Sequence, residues 1–594
     1  MKRTKKMLAF LMAALLALPL ICTTAFAEGE ETFTFTVNEE TEGFTYVLYQ
    51  MFTGDVTDNP GYEEDTSDPN EKYIISNIKW GNAVPESTQA AMYDFYELEG
   101  KDRTASAFAE RMAEKAADGE NVFHDMMVEM ARLQKTNGAS LENGKTMEYS
   151  EEDENYSVSG LAPGYYLVRN TGVPNESYAY SDYIIKILGE DVEADPKASE
   201  VTAVKKVDDI NQSTASIRTT NLDSSDANIG TIINYTLTSN LPGNFEAYKQ
   251  EDAKAFRLIF EDDMSRGLTW YKDTGQEDGY ATIQFGTGTE IPVNFVVVPA
   301  DRTAVIDGET KPIESEWKND GGKLWMLDIE NLVKWAKDNG VEEDIVANAP
   351  ITIRYRAILN TYAVTTNSGN PNKYRVIFDA NPNTPEEKMS ATEKDTNIVF
   401  TYKTIFNKVD EYGDALPGAD FRLEKFVVNA SGSTTITIDD KNYTGNWVDV
   451  TALNSDTGVN PYRTINNTAD DSTEFTFTGL DDGHYRLVET TTPEGYNSID
   501  PLEFDIAATH KDGDVPTLES LSGVFTNLTD DNDEPVELTA NIPSASLTAN
   551  IQNKQGIVLP ASGGMGTTML HVIGALLVTG SVVALVVKRR AQAE

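Results

Sequence analysis

The 594-residue chain holds a single cysteine, Cys22, and four histidines, His124, His484, His510 and His571. Cys22 lies in an N-terminal segment that carries the marks of removal, so the mature chain can form neither a disulfide nor a thiolate metal site. The histidines are too scattered to nominate a zinc cluster, and no metal or other cofactor is expected. Basic residues are scarce: 48 Lys and Arg stand against 96 Asp and Glu, a net charge of -48. The two ends are net basic, so the part between is more acidic still. A field of that sign repels phosphate backbones, which argues against nucleic acid as a partner. Catalytic motifs are missing too. Neither G-x-S-x-G nor H-E-x-x-H occurs. Asn143-Gly144-Lys145-Thr146 has Ala139 where a phosphate loop needs glycine. Asp530-Asp-Asn-Asp-Glu534 lacks the glycine and the terminal glutamate spacing of a calcium loop. No enzyme is expected.

What is present reads as folded β-protein. A 40% hydrophobic and 9% aromatic content rules out wholesale disorder, and the length calls for roughly three or four domains. Short alternating runs separated by Gly, Pro, Asn and Asp recur, among them Thr32-Phe-Thr-Phe-Thr-Val, Ile229-Gly-Thr-Ile-Ile-Asn-Tyr-Thr-Leu-Thr and Phe475-Thr-Phe-Thr-Gly-Leu. They predict an all-β fold of tandem sandwiches. Residues 87–135 depart from this, with helical spacing at Met92, Phe95, Tyr96, Phe108, Met112, Met126, Met130 and Leu133; they predict a helical insertion in the first domain. Gly160-Leu-Ala-Pro-Gly-Tyr-Tyr and Gly479-Leu-Asp-Asp-Gly-His-Tyr share G-L-x-x-G-x-Y, a weak internal repeat at opposite ends of the β region.

The two ends state an address. Met1-Lys-Arg-Thr-Lys-Lys, an apolar run from Met7 to about Ala17, and Ala25-Phe26-Ala27 form a secretory signal peptide, residues 1–27. The run is short for a membrane anchor, and Ile21 before Cys22 excludes a lipoprotein signal. At the other end come Leu559-Pro560-Ala561-Ser562-Gly563, an apolar stretch at 569–587 long enough to span a bilayer, and a basic tail at 588–594. This order resembles the cell-wall sorting signal of Gram-positive surface proteins, L-P-x-T-G, with Ser562 where the family has Thr. The resemblance implies a surface location, with a sortase cleaving between Ser562 and Gly563 and passing the acyl group to an amine.

Residues 403–558 resemble the CnaB-type immunoglobulin-like domain of adhesins and pilins. Lys408-Val-Asp-Glu-Tyr-Gly-Asp-Ala-Leu-Pro-Gly-Ala-Asp-Phe opens the match, Glu489-Thr-Thr-Thr-Pro-Glu-Gly-Tyr supplies its E-box, and Asn553 closes it. Residues 198–402 look like the fimbrial isopeptide-formation domain of sortase-assembled pilins, through Val204-Lys205-Lys206-Val-Asp-Asp, Asp262-Asp-Met-Ser-Arg-Gly267-Leu268 and Asn372-Lys-Tyr-Arg-Val-Ile-Phe-Asp-Ala-Asn381-Pro. At the end of the N-terminal domain, 28–197, Val192, Pro196 and Lys197 match the pilin motif W-x-x-x-V-x-V-Y-P-K, while Leu188, Ala194 and Asp195 depart from it. Together these pieces resemble SpaA-type backbone pilins.

The resemblance implies internal Lys–Asn amide crosslinks. Burial would lower the lysine pKa and raise that of a nearby carboxyl, so a neutral amine can attack a carboxamide that the acid polarises. The implied sets are Lys408, Asn553 and Glu489 in the last domain and Lys205, Asn381 and Asp262 in the middle one. Lys206 competes with Lys205, and Ala380 stands where the family more often has Asn. Lys197 is implied as the amine joined to Ser562 of the next subunit. The expected partners are a sortase, further copies of the chain, minor pilins, peptidoglycan and a possible host surface ligand. The alternative is a monomeric wall-anchored adhesin or minor pilin, which needs no Lys197.

Overall fold

The computed structural model describes residues 32–557 and the helix Met565–Ala591. Left out within that span are 64–71, 118–121, 123–125, 127–140, 196–199, 215, 250–254, 300–301, 307–308, 383–388, 429–433, 439, 454–471 and 512. The signal peptide, Lys197, Leu559, Pro560, Ala561, Ser562, Gly563, Met130 and Leu133 therefore lie outside the described residues.

Three β-sandwiches follow one another along the chain, as the alternating runs predict. In the first, the sheet containing Phe33–Val37 and Asn155–Leu161 faces the sheet containing Thr45–Asp58 and Gly164–Gly172. Phe35, Val37, Tyr46, Leu48, Tyr156, Val168 and Ile187 fill the space between them. The strand Phe33–Val37 buries every second residue, the period a half-buried strand requires. The predicted helical insertion is present as Glu86–Phe95 and Ala105–Ala117. Met92, Phe108, Met112 and Met126 form a second core with Met51, Phe52 and Leu167, so the methionine stripe is packing. Lys145–Thr146, the partial phosphate-loop match, is a short strand paired with Val47 and Leu48.

In the middle sandwich, one sheet includes Val204–Asn211, Ile232–Asn240 and Pro350–Leu359, and the opposing sheet includes Leu258–Met264 and Asn370–Asp379. The third sandwich is a continuous ladder of ten strands. Its opening strand Tyr402–Val409 runs parallel to its closing strand Ser546–Gln552. Asp530 caps the hairpin before Pro535–Asn541, its Oδ1 accepting from Asn532 N at 2.8 Å and Glu534 N at 3.0 Å. The helix Met565–Ala591 contains a fully exposed segment, Met569–Arg590, long and apolar enough to cross a membrane.

Repeated hydrogen bonds join the sandwiches. Tyr180 N donates to Ala380 O at 2.9 Å between the first and middle ones. Between the middle and third, Ile229 N donates to Gly479 O at 3.0 Å and Val428 N to Gln212 O at 3.1 Å. Both copies of G-L-x-x-G-x-Y build the same corner. The second glycine opens the next strand, and the tyrosine hydroxyl donates back to a carbonyl four residues earlier. Tyr166 does so to Ala162 at 2.6 Å and Tyr485 to Asp481 at 2.9 Å.

Candidate functional site

Strand parity decides which lysines face inward. Along Val204–Asn211, Lys205 and Val207 are buried while Lys206 points out and pairs with Asp223. Along Tyr402–Val409, Tyr402, Thr404, Phe406 and Lys408 alternate inward. Lys205 and Lys408 are both 0% exposed. A lysine placed this way must find polar partners inside the core or give up its charge.

Lys205 finds them across the sandwich. Its Nζ donates to Asp262 Oδ2 on the opposing sheet and lies 2.8 Å from the Tyr355 hydroxyl. That hydroxyl donates to Asp262 Oδ2 at 2.8 Å and accepts from Asn372 Nδ2 at 2.8 Å. Lysine, acid and carboxamide thus meet at one phenol. Asp262 lies opposite Tyr374 in the antiparallel pairing and Asn372 opposite Met264, so the acid and the amide are diagonal neighbours on one face. Tyr235 and Tyr355 stack at 5.1 Å beneath the amine, whose Nζ is 4.8 and 5.1 Å from their ring centroids. Burial pulls the Lys205 pKa down and pushes that of Asp262 up, each opposed by the other's charge. Both shifts favour a neutral amine beside a protonated acid.

Asn381, the carboxamide expected from the sequence, is not brought to this cluster. The strand Asn370–Asp379 runs seven residues beyond Asn372, ~23 Å at the usual rise, before Asn381 is reached. Asn381 instead donates its backbone N–H to Asp379 Oδ1 at 3.3 Å. Asn372, in the same stretch of sequence, takes the place next to Lys205. Inward parity with Tyr374 and Val376 is the signal that distinguishes it. Asn397, opposite Asn372, is also buried, but its amide donates to Asp223 O at 3.0 Å, away from the phenol. Tyr355 had no signature in the sequence at all.

In the third sandwich the three expected residues converge. Lys408 lies opposite Ile551 on the parallel closing strand, and Asn553 follows on the same face, its N–H bonded to Val409 O at 3.1 Å. Lys408 Nζ donates to Ile551 O at 3.0 Å and Val409 O at 3.3 Å. Asn553 Nδ2 donates to Glu489 Oε1 at 2.9 Å, while Thr492 Oγ1 holds Oε2 at 3.0 Å. Burial lowers the Lys408 pKa to about 8, against the opposing pull of Glu489 and Asp410. Asn553 Oδ1 and Asn372 Oδ1 are both buried with no hydrogen-bond donor. Each costs about 1–3 kcal/mol in a core that makes no other use of it. A carbonyl left open beside an amine of reduced basicity is suited to acyl transfer, with the carboxyl moving the proton.

Residues 403–521 match the family described as the SpaA prealbumin-like fold domain. Over 442 residues the chain is 24% identical to the trypsin-resistant surface T6 protein of Streptococcus pyogenes serotype M6, spanning 66% of this chain and 70% of that one. Among solved structures, the T6 backbone pilin of serotype M6 S. pyogenes aligns over 89% of this chain and 100% of its own, at 15% identity and a TM-score of 0.45. The full-length major pilin SpaD of Corynebacterium diphtheriae aligns over 90% and 100%, at 16% identity and 0.40. The third sandwich thus matches the SpaA prealbumin-like fold domain over 403–521, within a chain similar over 66% of its length to the T6 surface protein.

Proposed function

We propose that this chain is the structural backbone subunit of a covalently polymerised pilus on a Gram-positive cell surface. The observation that carries the reading is the pair of buried lysine–acid–asparagine sets, Lys205–Asp262–Asn372 and Lys408–Glu489–Asn553, in consecutive sandwiches. In each, the lysine amine adds to the asparagine Cγ and ammonia leaves. The resulting amide ties strands far apart in sequence, as a disulfide would in a chain that had cysteines. A subunit stapled in this way transmits tension along the fibre without unravelling.

Polymerisation is the work of a sortase, which cleaves between Ser562 and Gly563 and joins the Ser562 carbonyl to Lys197 of the neighbouring subunit. Such a head-to-tail contact does not close on itself and propagates as a filament. The apolar helix holds the precursor at the membrane until cleavage. Minor pilins and peptidoglycan complete the set of partners.

The test is a boiled, reducing immunoblot of wall extracts from cells carrying the wild type or Lys197→Ala. A high-mass ladder that collapses to monomer in the variant is the expected result. A single wall-linked monomer in both would favour the adhesin reading instead, in which the helical insertion of the first domain offers the binding surface.

A further inference from the structure

A third lysine, Lys425, is as deeply buried as Lys205 and Lys408, and neither set uses it. It lies where the middle and third sandwiches meet. Its Nζ donates to Asp481 Oδ2 at 2.8 Å, Asp481 being 2% exposed, and sits 5.3 Å from the centroid of the Tyr485 ring. On the other side of Asp481 stands Asn228, a residue of the middle sandwich that is 0% exposed. Asn228 Oδ1 accepts from the Asp481 backbone N–H at 3.2 Å and lies 3.3 Å from the Tyr485 hydroxyl, whose one proton is shared between it and Asp481 O, while its Nδ2 donates to Gln212 Oε1 at 2.8 Å.

The parts match those of the Lys205 cluster one for one. Each has a fully buried lysine over a tyrosine ring, an aspartate bonded to that lysine, and a buried asparagine bonded to the same tyrosine's hydroxyl. The Asp481 backbone N–H donates to the Asn228 carbonyl oxygen, where negative charge would grow if an amine added to its carbon, and the Tyr485 hydroxyl is within reach of it. Burial pushes the Asp481 pKa well up against the pull of Lys425, with the Asp482 and Asp226 carboxylates adding to the rise.

The corresponding corner of the first sandwich supplies a contrast. Gln50 lies opposite Tyr166 as Lys425 lies opposite Tyr485, and Ala162 takes the position of Asp481. There the glutamine amide satisfies the turn, donating to Pro163 O at 3.3 Å and Tyr166 Oη at 3.2 Å. The fold of the corner therefore requires neither a lysine nor an aspartate. A buried ion pair in place of a neutral amide adds desolvation cost without a structural need for it.

We propose that Lys425 and Asn228 form an amide that welds the middle sandwich to the third, with Asp481 as the proton carrier. The Lys425 Nζ–Asn228 Cγ bond forms and the Asn228 Cγ–Nδ2 bond breaks. Nδ2 leaves as ammonia, carrying the proton that Asp481 takes from the amine, and nothing is oxidised or reduced. The weld lies between domains, whereas the crosslinks proposed above lie within single domains.

The experiment is peptide mapping by tandem mass spectrometry of the whole chain, wild type and Asp481→Ala. In the wild type, trypsin is expected to leave the bond after Lys425 uncut. The peptide running from Leu423 to Lys441 should then emerge branched to the one running from Thr219 to Lys249, lighter by one ammonia than their sum. Asp481→Ala should abolish this branch. Branches at Lys408 and Lys205 are read as separate peptides in the same digest, so failure here is distinguishable from failure of the chemistry proposed for the domain cores. Linear peptides for both segments in the wild type would overturn the proposal, whether or not the variant folds. So would a branch from Lys425 to Asp481 with loss of water. A branch that persists in Asp481→Ala would remove Asp481 from the role of proton carrier.

Discussion

The Lys205 and Lys408 sites hold the same kinds of residue and wire them differently. At Lys205 the acid holds the amine: Asp262 bonds the lysine directly and the carboxamide is reached through Tyr355. At Lys408 the acid holds the amide: Glu489 bonds Asn553, and the lysine rests on main-chain carbonyls. The difference follows from where the strands lie. Lys205 must cross from one sheet to the other, where Asp262 faces it. Lys408 lies beside its target on adjacent parallel strands, with Asn553 two residues beyond its register partner. In one arrangement the amine and the acid are bonded to each other and in the other they are not, so the two should respond differently to loss of the acid, to pH and to changes nearby.

The largest effect is expected from Asp262→Ala. It leaves the Lys205 amine buried without its hydrogen-bonded acid, a cost of about 1–3 kcal/mol. It also removes the crosslink, whose loop would contribute about 5 kcal/mol by chain entropy. Calorimetry should show the middle-domain transition falling further than that of the third domain in Glu489→Ala. Equal falls would mean that the direct lysine–acid bond is not what separates the sites.

Glu489→Ala comes next. Lys408 keeps its carbonyl partners, so the expected loss is the crosslink alone, about 5 kcal/mol, and the third-domain transition should drop by roughly 10–20 °C. The intact mass should exceed by one ammonia the value expected for the substituted chain with that crosslink formed. A mass that matches the substituted chain with the ammonia already lost would remove Glu489 from the reaction.

The third test concerns pH. Only the neutral amine attacks, and burial sets the Lys408 pKa at about 8. Its neutral fraction therefore rises about tenfold between pH 6 and pH 7 and levels off above 8. Ammonia loss in the freshly folded third domain, followed by mass spectrometry, should accelerate accordingly. The middle site, where the amine can hand its proton directly to Asp262, should show a shallower dependence. Parallel profiles would dissolve the distinction between the two wirings.

The smallest effect belongs to Lys206→Ala. Lys206 is the outward neighbour of Lys205 and forms a partly exposed pair with Asp223. Its removal should cost less than about 1 kcal/mol and leave the middle-domain branched peptide in place. Loss of that peptide would mean that parity has been misassigned along the strand.

The sequence by itself determined the all-β character, the helical insertion and the apolar C-terminal helix, because each rests on a local period. It also named Lys408, Glu489 and Asn553, which the third sandwich brings together, since all three sit inside a specific motif at the ends of strands. Choosing between Lys205 and Lys206 needed the strand's facing, and choosing Asn372 over Asn381 needed the register of Asn370–Asp379 against Leu258–Met264. Tyr355 and the Lys425–Asp481–Asn228 group were decided by tertiary structure alone. A buried amine and the carboxamide it faces need not be near each other in sequence, and nothing in a strand's own alternation records what the opposing sheet or the neighbouring domain brings to meet it.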